Sequence, residues 1–250
     1  LSLCFNRDSI LIDAPNITLP LGYSGNSTYI SILTALSSGK RKVKEIADSL
    51  KMENNALSTF LARMMEGGSI ERKTMFNGNQ KSNYYEISDP FIRFYYRIIY
   101  PSLPDIESGI GASVKEECEP IINDMIAHGF ENTAISYLEE RNQKGLLPGV
   151  YHPFRRYVVD NSALGRSIEI DALSDSLDGK HLFVMEAKFK QKSVSKAVLD
   201  HLKEGVSIFA SHYSKIHYCL FSKTSFSKDI LQLKDPSLVL ITLDEMMAVE

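Results

Sequence analysis

Two hydrophobic periods divide the chain. From Tyr29 to Glu66 apolar residues recur every three or four positions, the spacing of helices with one buried face. In YISILTALSS, Ile32, Leu33 and Leu36 share a face, and Gly39 is placed to stop the helix. VKEIADSL turns Val43, Ile46, Ala47 and Leu50 inward; ALSTFLARMMEGG repeats Leu57, Leu61, Met64 and Met65 before paired glycines. The period then shortens to two, and SIERKTMFNGNQKSNYYEIS alternates about Asn77–Gly78, a hairpin signal.

Three helices followed by a hairpin make the layout of a winged helix-turn-helix, so residues 29–100 read as an all-α/winged-helix domain. On its third helix Asn55, Ser58, Thr59, Ala62 and Arg63 face away from the apolar stripe, where a groove-reading surface would lie. Lys40, Arg41, Lys42 and Lys44, with Arg72, Lys73 and Lys81 on the wing, would add phosphate contacts. The same face serves equally as the solvated surface of a protein-binding domain. In SDPFIRFYYRIIYP, Asp89 suits an N-cap and Pro90 the first helical position, while Phe91, Phe94, Tyr95 and Ile98 form an aromatic stripe that reads as packing. Pro, Gly and Ser punctuation marks 101–115 as a linker. Residues 1–28, mixed and rich in turn formers, read as the tail of something preceding.

Residues 116–250 alternate helix and short strands, an α/β pattern. A helix over about 116–142 precedes strands near 150–158, 166–175 and 181–189; another helix and the late strands KIHYCLFS and LVLITL follow. RSIEIDALSDSL and HLFVMEAKF both alternate, and Asp178–Gly179 between them is a favoured two-residue turn. Opposed residues about that turn have numbers summing to 357, so Leu177 faces Lys180, Asp171 faces Glu186 and Glu169 faces Lys188. A longer symmetric loop about the same centre preserves the pairing. Alternation puts all four of the last-named side chains on one face. Opposed carboxylates repel, and a divalent cation between them removes the conflict, oxygen ligands being what Mg²⁺ prefers. Lys188 points the same way, suited to hold a water or to stabilise charge on a phosphate. Phosphodiester hydrolysis with metal assistance needs that set. Glu131 has Ala127, Ala134, Ile135 and Leu138 as helical neighbours, so it lies near the buried stripe, as a third acid or as a flank of the core. The bland alternative for the hairpin is a cross-strand Glu169–Lys188 ion pair with Asp171 solvated on an edge.

Charge refines this picture. The net charge of −3 argues against a protein that coats nucleic acid, yet 29–100 carries eleven Lys/Arg against seven Asp/Glu while 101–250 is net acidic. The first folded region is thus the one suited to an anion such as DNA. In the acidic half, Arg155, Arg156, Lys188, Lys190 and Lys192 are the local cationic cluster. Cys4, Cys118 and Cys219 are odd in number and far apart, which argues against a disulfide framework or structural zinc and fits a reducing cytoplasm. No apolar run approaches membrane-spanning length, and the start LSLCFNRD lacks the layout of a signal peptide. Lacking Met, it reads as a piece of a longer chain.

Asp171, then fourteen residues, then Glu186-Ala187-Lys188 resembles the PD-(D/E)XK nuclease superfamily. Ile170 stands where the superfamily name has Pro. The resemblance implies a restriction-endonuclease-like αβββαβ core over 116–250 and Mg²⁺ or Mn²⁺ as cofactor. It implies Asp171 and Glu186 as metal ligands with the Ala187 carbonyl, and Lys188 and Glu131 as further catalytic residues. Further, YISILTALSSGKRKVKEIADSLKMENNALSTFLARMMEGGSIERK followed by YYEISDPFIRFYYRIIYP is similar to the C-terminal half of the archaeal-type P-loop ATPases. In those proteins a winged helix and a nuclease-like domain of unknown function follow the ATPase domain. By that resemblance 1–28 is the remnant of an ATPase lid, and an ATPase domain or partner subunit is implied. No G-x-x-x-x-G-K-[ST] occurs, so this chain does not cradle a nucleotide in that way.

Two functions follow as expectations. One is a Mg²⁺-dependent DNA nuclease with a winged helix for docking. The other is a non-catalytic DNA- or protein-binding module that regulates an ATPase.

Overall fold

A computed structural model of the chain describes residues 2–23, 25–76, 82–161 and 166–248. They fall into two compact units, Leu1–Thr74 with Gln80–Met125, and Met75–Asn79 with Ile126–Glu250.

In the first unit short 3₁₀ turns and helix α1 (Ala14–Thr18) precede α2 (Ser27–Ser37), α3 (Val43–Leu50) and α4 (Asn54–Glu66). Asn26 caps α2 by accepting from the Thr28 and Tyr29 N–H groups. Gly39, at φ +91°, closes it as the apolar pattern requires: the Lys40 N–H reaches back to the Ala35 carbonyl and the Gly39 N–H to that of Leu36. Ile32, Leu33, Leu36, Ile46, Ala47, Leu57, Leu61 and Met64 are buried in one core. Strands β1 (Ile70–Thr74) and β2 (Asn83–Ile87) pair antiparallel, from Ile70 opposite Ile87 to Thr74 opposite Asn83. The expected turn at Asn77–Gly78, and Lys81, lie outside the described residues.

Asp89 caps α5 (Pro90–Phe94) through the Phe91 and Ile92 N–H groups, with Pro90 in the first turn. A π-helical turn over Tyr95–Ile99 continues it, so that Ile92, Tyr96 and Ile99 are buried along with Tyr95 and Ile98. Residues 101–115, which read as a linker, instead form helix α6 (Leu103–Glu107) and most of α7 (Gly111–Glu117). The residues that suggested a linker act as helix punctuation: Pro104 sits in the first turn of α6, Gly109 at φ +94° ends it, and Ile106 and Val114 enter the core. Cys4, Phe5 and Leu19 of the N-terminal stretch join that same core.

The second unit takes helix α8 (Glu119–Gln143) from Ile126 onward, then β3 (Arg155–Asn161), β4 (Arg166–Asp175), β5 (His181–Lys188), α9 (Lys196–Gly205), β6 (Lys215–Ser222), α10 (Lys228–Leu231), β7 (Leu238–Thr242) and α11 (Leu243–Met247). The five strands form one mixed sheet in the order β3-β4-β5-β6-β7. The first two pairings are antiparallel and the last two parallel. Phe130, Ala134 and Leu138 of α8 pack with Phe183, Met185, Ala187, Cys219 and Phe221. Leu199 and Leu202 of α9 pack with Ile168, Ile170, Leu182, Val184 and Leu220. Strand β5 is therefore buried on both faces from Leu182 to Met185, where the sequence pattern was expected to alternate.

Candidate functional site

The β4–β5 hairpin keeps the register read from the sequence. Ala172 pairs with Met185, Leu173 with Val184, Ser174 with Phe183 and Asp175 with Leu182. The loop is longer than a two-residue turn. The Ser176 N–H donates to the His181 carbonyl, and Asp178 accepts from the Ser176 hydroxyl and the Lys180 N–H, while Gly179 sits at φ +68°. Its centre is unchanged, so the pairing survives.

What the alternating pattern did not disclose is an irregularity beside Asp171. Between Arg155–Leu173 and Tyr157–Ile170 the β3–β4 register shifts, leaving Asp171 and Ala172 opposite Arg156 alone. This is a β-bulge, which re-aims side chains on the bulged strand. Its effect shows in the packing. Ile168 and Ile170 enter the core under α9, Ala172 the core under α8, and Leu173 the core under α9 again. Continuous alternation from Glu169 to Asp171 and onward is thereby broken. Glu169 pairs with Arg156, not with Lys188.

Asp171, Glu186 and Lys188 do come together. The Ala187 N–H donates to Asp171 Oδ2 at 2.8 Å, so the carboxylate takes a backbone donor of β5 beyond the last β4–β5 pair. Lys188 Nζ is bonded to Glu186 Oε1. The other oxygen, Oε2, is buried without a hydrogen-bond partner. Burial, followed by the negative charges of Glu186 and Glu131, pushes the Asp171 carboxyl up to about 7; Lys188 and the Ala187 N–H oppose that rise. Burial on its own would lower Lys188, but Glu186 and Asp171 outweigh it and the ammonium is held charged above its ordinary range. Glu131, from α8, contributes to both environments and accepts from or pairs with His128 Nδ1 at 3.1 Å.

Among the described residues no group of three or more His, Cys, Asp and Glu side chains is gathered in a form ready to hold a metal ion. Glu186 is turned to Lys188. The donors present nevertheless fit a hard divalent cation: a buried orphan carboxylate oxygen, and a second carboxyl whose ionisation is opposed by burial and by its acidic neighbours.

In the first unit Asn55, Ser58, Thr59, Ala62 and Arg63 lie exposed on α4, as the helical stripe requires. The Ser58 and Thr59 hydroxyls bond back to the Asn54 and Asn55 carbonyls. Lys40, Lys42, Lys44 and Arg72 are exposed. Arg41 and Lys73 are not free: Arg41 Nη1 lies 2.9 Å and Lys73 Nζ 3.0 Å from the carboxylate of Glu86, which is buried on β2. Near the second-unit site Arg155, Lys190 and Lys192 are exposed while Arg156 is tied to Glu169.

Sequence reasoning missed His128, and it placed Arg156 in the local cationic cluster without its pairing to Glu169. Its position three residues before Glu131 on a helix was a readable signal for His128. Arg156 depended on the strand register with β3, which no turn residue announced.

Comparison with known proteins gives a family segment first. Residues 95–199, which include Glu131, Asp171, Glu186 and Lys188, match the model of the DUF234 family, "Archaea bacterial proteins of unknown function". The chain is also similar to the uncharacterized protein MJECL04 of Methanocaldococcus jannaschii, at 31% identity over 227 residues, 89% of this chain and 50% of that protein. The chain thus spans about half the length of that curated relative. No solved structure matches it. Among the described residues no helix is long and apolar enough to cross a membrane.

Proposed function

We propose that this chain is a Mg²⁺-dependent nuclease (Mn²⁺ serving in its place) that hydrolyses DNA phosphodiester bonds, with a restriction-endonuclease-like core of the PD-(D/E)XK type. The observation that carries this is the convergence of Asp171, Glu186 and Lys188 beside the bulge, next to Glu131 of α8. The order α8-β3-β4-β5-α9-β6 agrees with an αβββαβ core. Asp171 and Glu186, with the Ala187 carbonyl, would hold the cation, whose chemistry when bound is to polarise the phosphoryl group and a water. Lys188 stays cationic, so its part is to orient the water and neutralise charge developing on the phosphate, not to take a proton. Glu131 fixes the local negative field and orients its neighbours. Residues 29–100 would act as a winged helix, docking DNA through Ser58, Thr59 and Arg63 of α4 and through Lys40, Lys42, Lys44 and Arg72.

The test is cleavage of supercoiled and single-stranded DNA with Mg²⁺ or Mn²⁺ by wild type and by Glu186→Ala. Loss of product in the variant, with a folded protein, is the expected result. No product from folded wild type, or equal product from both, would refute the reading.

One observation favours a second reading. Arg41 and Lys73 are both paired with Glu86, which weakens the cationic surface of the first unit. The chain would then be a non-catalytic DNA- or protein-binding module that regulates a partner ATPase, and it would yield no cleavage.

A further inference from the structure

The end of β6 lies beside the end of β5, and there the chain places a cation that the site described above does not use. Ser222 is the partner of Lys188 in the parallel ladder, and the next N–H, that of Lys223, donates to the Lys188 carbonyl at 3.1 Å. The Lys223 ammonium stands over the Phe189 ring, 4.3 Å from its centroid. That ring packs 5.4 Å from the ring of Phe130, the residue before Glu131 on α8. The ammonium thus stands on the ring that directly follows Lys188, and that ring in turn packs on the one that directly precedes Glu131.

The mount is firm. The segments after β5 and β6 are joined by the bond between the Ser193 and Ser225 hydroxyls at 2.7 Å, by the Val194 N–H to the Ser225 carbonyl at 3.0 Å, and by a bridge between Val194 and Phe226. Among the described residues no carboxylate pairs with Lys223. A lysine carries three donors, and the face of an aromatic ring satisfies the charge from one side only. An ammonium fixed at the strand ends, half-exposed and without a carboxylate, is suited to an anion arriving from solvent.

We infer that Lys223 is a substrate-binding residue, contacting a backbone phosphate of duplex DNA that flanks the bond presented to Asp171 and Glu186. This rests on the nuclease reading for its substrate. Lys223 lies outside the segment 95–199 matched by the family model. Exposed Lys190 and Lys192 follow the same strand exit and continue the positive track.

The deciding measurement is anisotropy of a labelled DNA duplex with the full chain in EDTA, where no cleavage occurs, over a series of KCl concentrations. Wild type, Lys223→Gln and Lys223→Arg are compared on two unrelated sequences, after thermal unfolding has confirmed that each is folded. Removal of one phosphate contact lowers the slope of log K against log salt by about 0.9 and weakens both sequences alike. Lys223→Gln is expected to do both, and Lys223→Arg to keep the wild-type slope. A wild-type slope in Lys223→Gln overturns the assignment while leaving the nuclease reading in place. Absence of wild-type binding at low salt overturns the assignment as well, while the nuclease reading is decided by the cleavage test.

Discussion

A carboxyl that accepts a backbone N–H, yet has two acids for neighbours, is stabilised by its hydrogen bond and destabilised by its charge. For Asp171 burial and the neighbouring acids prevail, and its pKa rises from 3.8 to about 7. Between those values the native chain keeps a proton that the unfolded chain has released. Its contribution to stability is therefore greatest in acid and is lost as pH rises through about 7. Asp171→Asn retains an acceptor for the Ala187 N–H and removes the charge. In EDTA at pH 8 it should be more stable than wild type by about 1–3 kcal/mol, the gap closing toward pH 4. Thermal unfolding at both pH values checks this; a gap independent of pH would show that Asp171 titrates as an ordinary carboxylate. Glu86 presents the opposite case, a buried acid satisfied by Arg41 and Lys73. Burial alone would lower Lys73, but Glu86 and Glu71 together raise it. Glu86→Ala leaves both cations without their central partner, and we expect a loss of about 2–3 kcal/mol in urea unfolding at pH 7. A loss no larger than that of an exposed glutamate would mean that the three side chains are not energetically coupled.

At the scale of elements, backbone proximity decides what pattern alone leaves open. Gly111 opens α7 where an added Cβ would stand 1.9 Å from the Phe5 carbonyl oxygen. Phe5 also meets Phe94 edge-on at 6.3 Å. The N-terminal stretch is thus part of the first unit's core. Gly111→Ala must push α7 or the Phe5 backbone aside, at a cost of about 1–3 kcal/mol. A lowered melting temperature is the expected readout, and an unchanged one would show that the two segments separate without penalty. The helical stripes of α2, α3 and α4 and the β4–β5 register were legible, because a buried face fixes a period and a symmetric loop fixes a sum. The helices α6 and α7 were not, since Pro, Gly and Ser mark linkers and helix ends alike. The bulge at Asp171 was also hidden. It arises from pairing with β3, a strand that sequence placed about five residues early, and no local residue demands it. The acids of the candidate site were therefore proposed from type and spacing, while the pairings of Arg156 and His128 came only with the fold.

For the whole molecule, chain order and compactness differ. The first unit is built from residues on both sides of the second unit's Met75–Asn79 segment, so neither unit is a contiguous stretch. Within that segment Phe76 carries the consequence. It is 6% exposed, its ring meets Tyr157 at 6.3 Å and Phe209 at 5.8 Å, both edge-on, and its N–H donates to the Arg156 carbonyl at 2.8 Å. Arg156 is the residue opposite the bulge. A fragment beginning at Ile126 would lack this ring, leaving Tyr157 and Phe209 without their common partner. Phe76→Ala imitates that loss in the intact chain. It should destabilise the second unit by about 3 kcal/mol, as truncation of a buried aromatic side chain does. Limited proteolysis with mass spectrometry distinguishes the units: new cleavage should appear around Tyr157 and Phe209, while α2, α3 and α4 stay protected. If cleavage instead appears first in those three helices, Phe76 belongs energetically to the first unit, and β3 owes its position to the sheet alone.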